Sequence, residues 1–372
     1  MIKNILKSFV ALLILLSLCA SANAETLKVL TQNIWGVPDS VSTLHGGPSI
    51  QARRIQFCNK LKNMSQSPNI VLVQEVWDPK DALYLMKNCG YPYYSYQDDE
   101  TSSTVVNSHF QKLTYNFFEM VKEEINQTLD YFGVNLDDLI TGAVCLSYSS
   151  TVCNALEEIG IIPDRSKILR TTSWFHDSYV KSGLIILSKY PIVSQYRMVY
   201  SDRGDLGSML SDLERSVTKS LMLVQVKIST GQVLWVANTH LIADQEYESG
   251  KSDHYESQRL SQFIEAMAFI KKIVGSDPVI FGGDFNMGDS YPGWEFIKRY
   301  LVSYGVQGDL DNSPTYDGDY NKYASGNEGK VDHILGMNGV TAKLEGRAFI
   351  NDPVSDHYGV YKILDIPIDN IH

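Results

Sequence analysis

The chain is 372 residues long, 44% hydrophobic and 20% charged, with a formal net charge of −11. Such a length can bury a large core in one domain or two. The acidic balance argues against a protein that lives by wrapping nucleic acid, since phosphate contacts need Lys and Arg. It leaves room for a nuclease whose metal supplies local positive charge.

Residues 1–24 read as a signal peptide. Lys3 and Lys7 precede an apolar run from Phe9 to Leu18, and Ala22-Asn23-Ala24 supplies the small residues of a cleavage site. The run is too short for a good membrane span, and Leu18 stands where a lipoprotein reading of Cys19 needs a small residue. A secreted or periplasmic protein is expected, with one catalytic domain over 25–372. Beyond the leader lie Cys58, Cys89, Cys145 and Cys153, scattered in a way that does not suit zinc. In an exported chain they suggest disulfides. The expected pairs are Cys145–Cys153, nearest in sequence, and then Cys58–Cys89, with free buried thiols as the alternative.

Short apolar runs at Leu27–Thr31, Ile70–Val73, Leu184–Leu187, Leu221–Ile228, Val233–Ala237, Val279–Phe281, Val331–Leu335 and Tyr358–Ile363 read as strands. Several are apolar on both faces, as strands between layers are. Between them Ser49–Lys62, Lys80–Asn88, Ser257–Ile273 and Gly293–Val302 read as amphipathic helices. The alternation predicts an α/β protein with sheets inside and helices outside. From about 97 to 171 strand patterns fade, and Phe110, Leu113, Phe117, Met120 and Val121 share one helical face. A packed helical insertion is the expectation there; a lid or membrane-contact element is the sharper alternative.

Unusual polar residues sit at the strand ends. Asn33 and Glu75 follow the first two runs, Asn238 and His240 close the fifth, and Asp284 and Asn286 follow Gly282-Gly283. Asp332 and the pair Asp356-His357 stand before or at the start of strands. If neighbouring strands run antiparallel, all of them meet at one sheet edge. Members of each pair two apart face the same way in extended chain. Singly each has a bland role: His240 as scaffolding, Asp284 capping a turn, Glu75 capping a helix. Together they suit phosphate-ester cleavage. Glu75, helped by Asn33, offers hard oxygens to Mg²⁺. A histidine serves as base, with Asp332 or Asp356 fixing its tautomer. The second histidine and an asparagine can donate to developing phosphoryl charge. The sequence holds no serine elbow, P-loop or HExxH.

The motifs Gln32-Asn33, Gln74-Glu75, Asn238-Thr239-His240, Gly283-Asp284-Phe285-Asn286, Val331-Asp332-His333 and Ser355-Asp356-His357, in this order, resemble the deoxyribonuclease-I-like (endonuclease/exonuclease/phosphatase) superfamily. The resemblance implies a four-layer α/β sandwich of two packed mixed sheets flanked by helices, with the site at one edge. Within that superfamily the chain looks most like the neutral sphingomyelinases, through Asn33-Ile34-Trp35-Gly36-Val37-Pro38, Glu75-Val76-Trp77, Ser182-Gly183-Leu184 and Ser188-Lys189-Tyr190-Pro191-Ile192. The pattern Ala243, Tyr247, Tyr255, Arg259, Gln262 after Thr239-His240-Leu241 adds to it.

The resemblance implies Mg²⁺, with Mn²⁺ or Co²⁺ as substitutes, on Glu75 with Asn33 nearby and Asp356 as a further ligand or part of the network. It makes His357 the base and Asp332 its orienter, and has His240, Asp284 and Asn286 hold phosphate, nucleophile and transition-state charge. Asn238 and Lys219 fall to substrate binding, although the motif around Lys219 is poorly kept and a solvent-exposed strand lysine is the favoured reading. The implied substrate is sphingomyelin at a bilayer surface, with no obligate protein partner. Tyr91, Tyr93, Tyr94, Tyr96 and Trp294 are candidates for exposed aromatics near the site, buried packing being the alternative. A secreted nuclease on the same scaffold is the runner-up, and a catalytically inactive binding module the reading from another class.

Overall fold

A computed structural model describes residues 24–37, 39–42, 46–96, 182–201, 218–243, 255–289, 291, 293–326 and 329–368. Residues 1–23 of the leader, the expected insertion and the Cys145–Cys153 pair lie outside these residues. Cys58 and Cys89 form a disulfide.

The described strands are β1 (Ala24–Asn33), β2 (Ile70–Gln74), β3 (Tyr93–Tyr96), β4 (Ile185–Ser188), β5 (Ile192–Val199), β6 (Ser220–Lys227), β7 (Val233–His240), β8 (Val279–Asp284), β9 (Asp332–Met337), β10 (Thr341–Ala348) and β11 (Gly359–Pro367). The longer helices are α1 (Ile50–Asn63), α2 (Pro79–Asn88), α3 (Glu256–Val274) and α4 (Trp294–Ser303). The first sheet runs β10-β11-β1-β2-β4-β3, the second β5-β6-β7-β8-β9. Each is mixed, with one parallel pair, β1/β2 in the first and β7/β8 in the second, among antiparallel neighbours.

Side-chain alternation assembles the layers. Leu234 and Val236 of β7 join Ile70 and Leu72 of β2 in a core between the sheets. Trp235 and Ala237 face the other way, onto Phe263, Ala266 and Ile270 of α3 and Ile297 of α4. Val71 and Val73 likewise meet Phe57 and Leu61 of α1 and Leu85 of α2. The result is helix, sheet, sheet, helix. The ends of α1 and α2 follow local chemistry. Ser49 caps α1 by accepting the Ala52 N–H at 3.2 Å. Asp78 caps α2 by accepting the Lys80 N–H at 2.7 Å, with Pro79 in the first turn.

Strands β3, β5 and β10 are the ones the sequence pattern does not mark, and all three are sheet edges. An edge strand half faces water, so it lacks the apolar run of a strand buried on both faces. The fourth edge, β9, is legible because it is buried throughout; Gln307 and Gly336 exchange backbone hydrogen bonds beside it. Gly282 and Gly283 allow the close approach expected of them. A Cβ at Gly282 would meet Leu72 of the facing sheet, and Gly283, at φ 139°, sits against the Thr239 backbone.

Candidate active site

Register makes the strand ends converge. Parallel pairing sets Asn33 beside Gln74, one residue before Glu75, and His240 beside Asp284. Antiparallel pairing sets Asp284 beside Asp332. His357 lies two residues before β11, which pairs with β1. The expected meeting of strand ends with strand beginnings is therefore how the edge is built.

Asp284 is the hub. Its Oδ2 accepts from Asn33 Nδ2 at 2.9 Å and stands 3.7 Å from His240 Nε2 and 3.8 Å from His357 Nε2. Its Oδ1 accepts the Asn286 N–H at 2.9 Å, so one carboxylate both shapes the turn and serves the cluster. The Asn33 Nδ2 also donates to Glu75 Oε1 at 2.9 Å. His357 Nδ1 lies 2.8 Å from Asp332 Oδ2. A carboxylate there accepts, so Nδ1 carries the proton and Nε2 faces Asp284. Tyr316 packs edge-on to the His357 ring at 5.3 Å. Glu75, Asn286 and Trp35 take left-handed φ values of 60°, 51° and 54°, a conformation costing about 1–2 kcal/mol for a residue with a Cβ.

Electrostatics separate the groups. Burial would drive the His357 pKa down, but Asp332, Asp284 and Asp356 outweigh it and hold it well above the ordinary value. Burial, Lys219 and His357 push His240 well below, so that ring is neutral. Lys219 Nζ lies 3.0 Å from His240 Nε2. An ammonium only donates, so the proton of His240 sits on Nδ1, a buried atom without a partner among the described residues. Burial and then Asp332 raise the Asp284 carboxyl to about 6, against the pull of His357 and Asn33. Burial also raises Asp356, opposed by His357, Ser355 and Arg53.

Asp284, Asp332 and His357 each bring one ligand atom within 4.8 Å of the others, a grouping that could hold a metal ion. The wider donor set fits a hard divalent cation: carboxylates dominate it, and the buried Asp332 Oδ1 has no partner among the described residues.

Several expectations change in detail. Asn33 turns its NH₂, not its oxygen, to the carboxylates, because the oxygen accepts the Trp35 N–H at 2.8 Å. Asn238 is fully buried. It accepts from Gln74 Nε2 at 2.7 Å and donates to the Val73 and Ile185 carbonyls at 3.0 Å, which ties the two sheets together below the site. Lys219 is only 3% exposed, against the reading of a solvent-exposed lysine. Glu75 does not cap α2; Asp78 does. Asn286 Nδ2 donates to Leu241 O at 2.7 Å. Asp356 Oδ1 accepts from Ser355 Oγ at 2.9 Å. Trp294, Tyr91 and Tyr96 are buried, with Trp294 stacked on His333 at 4.4 Å. Tyr93 and Tyr94 are exposed, on edge strand β3.

Loop residues with no periodic pattern complete the site. Asn321 Nδ2 donates to the Ser355 and Asp356 carbonyls at 3.0 and 2.9 Å, and Thr315 Oγ1 accepts the Asp332 N–H at 3.1 Å. The turn-forming run Asp317-Gly318-Asp319-Tyr320-Asn321 was the signal available for the first.

The model of the Endonuclease/Exonuclease/phosphatase family matches residues 30–357, and the chain belongs to that family. Membership places it among phosphoester hydrolases, and the two mixed sheets with flanking helices are that family's fold. A candidate neutral sphingomyelinase of Drosophila melanogaster is 27% identical over 162 residues, 42% of this chain and 35% of that protein. The chain thus matches about a third of the length of that curated relative. Among solved structures, beta toxin of Staphylococcus aureus superposes with TM-score 0.53 at 16% identity, over 90% of this chain and 99% of that one. SmcL gives 0.54 at 15%, over 91% and 98%. A D. rerio TDP2 complexed with a single-strand DNA product gives 0.53 at 15%, over 91% and 99%. At these identities the structures speak to the fold alone.

Proposed function

We propose that this chain is an exported, divalent-metal-dependent phosphodiesterase that hydrolyses sphingomyelin to ceramide and phosphocholine. The observation that carries the chemistry is the His357–Asp332 pair at 2.8 Å, with His357 Nε2 turned to the Asp284 hub. In this reading His357, which Asp284 and Asp356 would no longer hold protonated once a cation neutralised them, takes a proton from water at Nε2 while Asp332 keeps the other nitrogen protonated. The water oxygen bonds to phosphorus, the bond from phosphorus to the ceramide oxygen breaks, and the departing alkoxide takes a proton from solvent to give ceramide. Lys219, seated on His240 Nε2, meets the phosphoryl oxygens, with Asp284 and Asn286 fixing the turn beside them. Glu75 would hold the cation, Mg²⁺ by the hardness of its donors, with Asn33 orienting it and Asp356 close by. When bound, that ion supplies positive charge to the phosphoryl group and the leaving alkoxide.

The lipid substrate is supported by the Drosophila relative and by the run from Asn33 to Pro38. Tyr320, 83% exposed on the loop that Asn321 ties to Asp356, presents an aromatic beside the site, as a bilayer-facing rim needs. Export is supported by the leader and by the Cys58–Cys89 disulfide. The test pairs phosphocholine release from sphingomyelin vesicles with nicking of plasmid DNA, each in Mg²⁺ and in EDTA. Metal-dependent headgroup release without nicking is expected. Nicking without headgroup release would transfer the same site to nucleic acid, and silence in both would sink the phosphodiesterase reading.

A further inference from the structure

The sequence places an arginine on the apolar face of α1. Arg53, Phe57 and Leu61 are four apart and all buried, and Arg53 is 0% exposed. Its Nη2 donates to the carbonyls of Trp35 at 2.7 Å and Val37 at 3.1 Å, and its Nη1 to that of Pro48. The guanidinium also lies 4.9 Å over the Trp35 ring. Three carbonyls, two from the Trp35–Val37 stretch and one from Pro48, are thus gathered on one planar fork, which lysine cannot reproduce.

The Trp35–Val37 stretch touches the metal end of the site at two points. The Trp35 N–H fixes Asn33, whose NH₂ bridges Glu75 and Asp284. Gly36 lies so close to Glu75 that a Cβ there would run into the Glu75 carbonyl oxygen. Trp35 and Glu75 both sit in the left-handed region, so something must hold each against relaxation.

We infer that Arg53 is a positioning residue for the metal end of the active site, holding the Trp35, Val37 and Pro48 carbonyls in the arrangement that orients Asn33 and seats Glu75. This rests on the phosphodiesterase reading. Burial disfavours the guanidinium charge, and Asp356, Asp39 and Glu75 offset only part of that. Its Nε–H nevertheless has no partner among the described residues. A well-packed apolar side chain would serve stability as well or better. The cation's value therefore lies in what it positions.

The experiment compares wild type with Arg53→Lys, which keeps charge and length but loses the fork. Mn²⁺ binding is read from the electron paramagnetic resonance of the free ion, and steady-state kinetics from sphingomyelin vesicles, both well below the melting temperatures of the two proteins. Arg53→Lys should bind Mn²⁺ about 10–100-fold more weakly, the range seen when a group supporting a metal ligand is lost. Its kcat should fall by a similar factor while KM stays within about twofold. Wild-type Mn²⁺ affinity and kcat, with only a lower melting temperature, would overturn the inference. Should Arg53→Lys not fold, Gly36→Ala displaces the same stretch from its other contact; unchanged Mn²⁺ affinity there overturns it equally. Failure of the phosphodiesterase reading shows instead in the wild type, which would bind no Mn²⁺ and cleave neither substrate, and takes the inference with it.

Discussion

Strand β9 carries two neighbouring residues that enter two different buried polar clusters. Asp332 belongs to the edge proposed to be catalytic, and His333 to a network of ions away from it. In the network, Asp309 meets His333 Nδ1 at 2.6 Å and Lys362 at 3.3 Å, Glu345 meets Lys362 at 3.0 Å and also Lys330, and His333 Nε2 meets the Met287 carbonyl at 2.7 Å. Each charge has an opposite partner. At the catalytic edge Asp332 Oδ1 and His240 Nδ1 have none among the described residues, and carboxylates crowd one another. Both clusters are desolvated, but only one is satisfied. A buried polar group left without partners costs stability, so its persistence points to chemistry, whereas a fully paired network points to structure.

The largest test of that contrast is His357→Ala. It should cut turnover by about 10²–10⁴-fold, the range of a lost general base, while urea melts remain close to wild type. Substantial residual activity would remove the base assignment. Lys362→Met should do the reverse. It removes one of the cations shared by Glu345 and Asp309 and should lower stability by about 3–5 kcal/mol in a urea melt, with activity per folded molecule retained.

Asp284→Asn should stabilise the metal-free protein. The native carboxyl sits at about 6 and its unfolded counterpart near 4, so the charged form is disfavoured by folding. Full stability is then present below the unfolded value and is lost as pH rises through about 6. The substitution should stabilise the protein more at pH 8 than at pH 4 in EDTA and abolish turnover; a stability difference that does not change with pH would contradict it.

The smallest expected effect is in acid. Burial acts to raise Asp309, but His333, Lys362 and Lys330 hold it well below the usual carboxylate range. Its contribution is present above the unfolded value near 4 and is lost as pH falls below it. An acid melt of Asp309→Asn should therefore be flatter below about pH 4 than that of wild type. Parallel curves would show that the network is not the acid-sensitive element.

The sequence discloses most of the frame because interior strands such as β2 and β8 are apolar on both faces. Edge strands β3, β5 and β10 escape notice because water replaces one neighbour and removes the pattern. The site residues on strand ends are legible by chemistry and spacing. Their depth is not: Asn238 and Lys219 differ from a substrate-facing and an exposed group only through the sheet packed above them. Trp294 escapes for the same reason, its partner His333 being a packing neighbour that no local rule identifies. Arg53 was the exception in plain view, a charge on the apolar stripe of α1.

Strand β1 pairs with β11 over most of its length, from Ala24 opposite Pro367 to Thr31 opposite Val360. The first sheet is therefore joined at its middle by two segments far apart in sequence, a highly non-local contact. His357 arrives only with β11. A growing chain that has not yet reached β11 holds Asn33 and Glu75 without the proposed base, so the site cannot assemble before that strand is made. Any chain exported unfolded would acquire its activity only on the far side of the membrane.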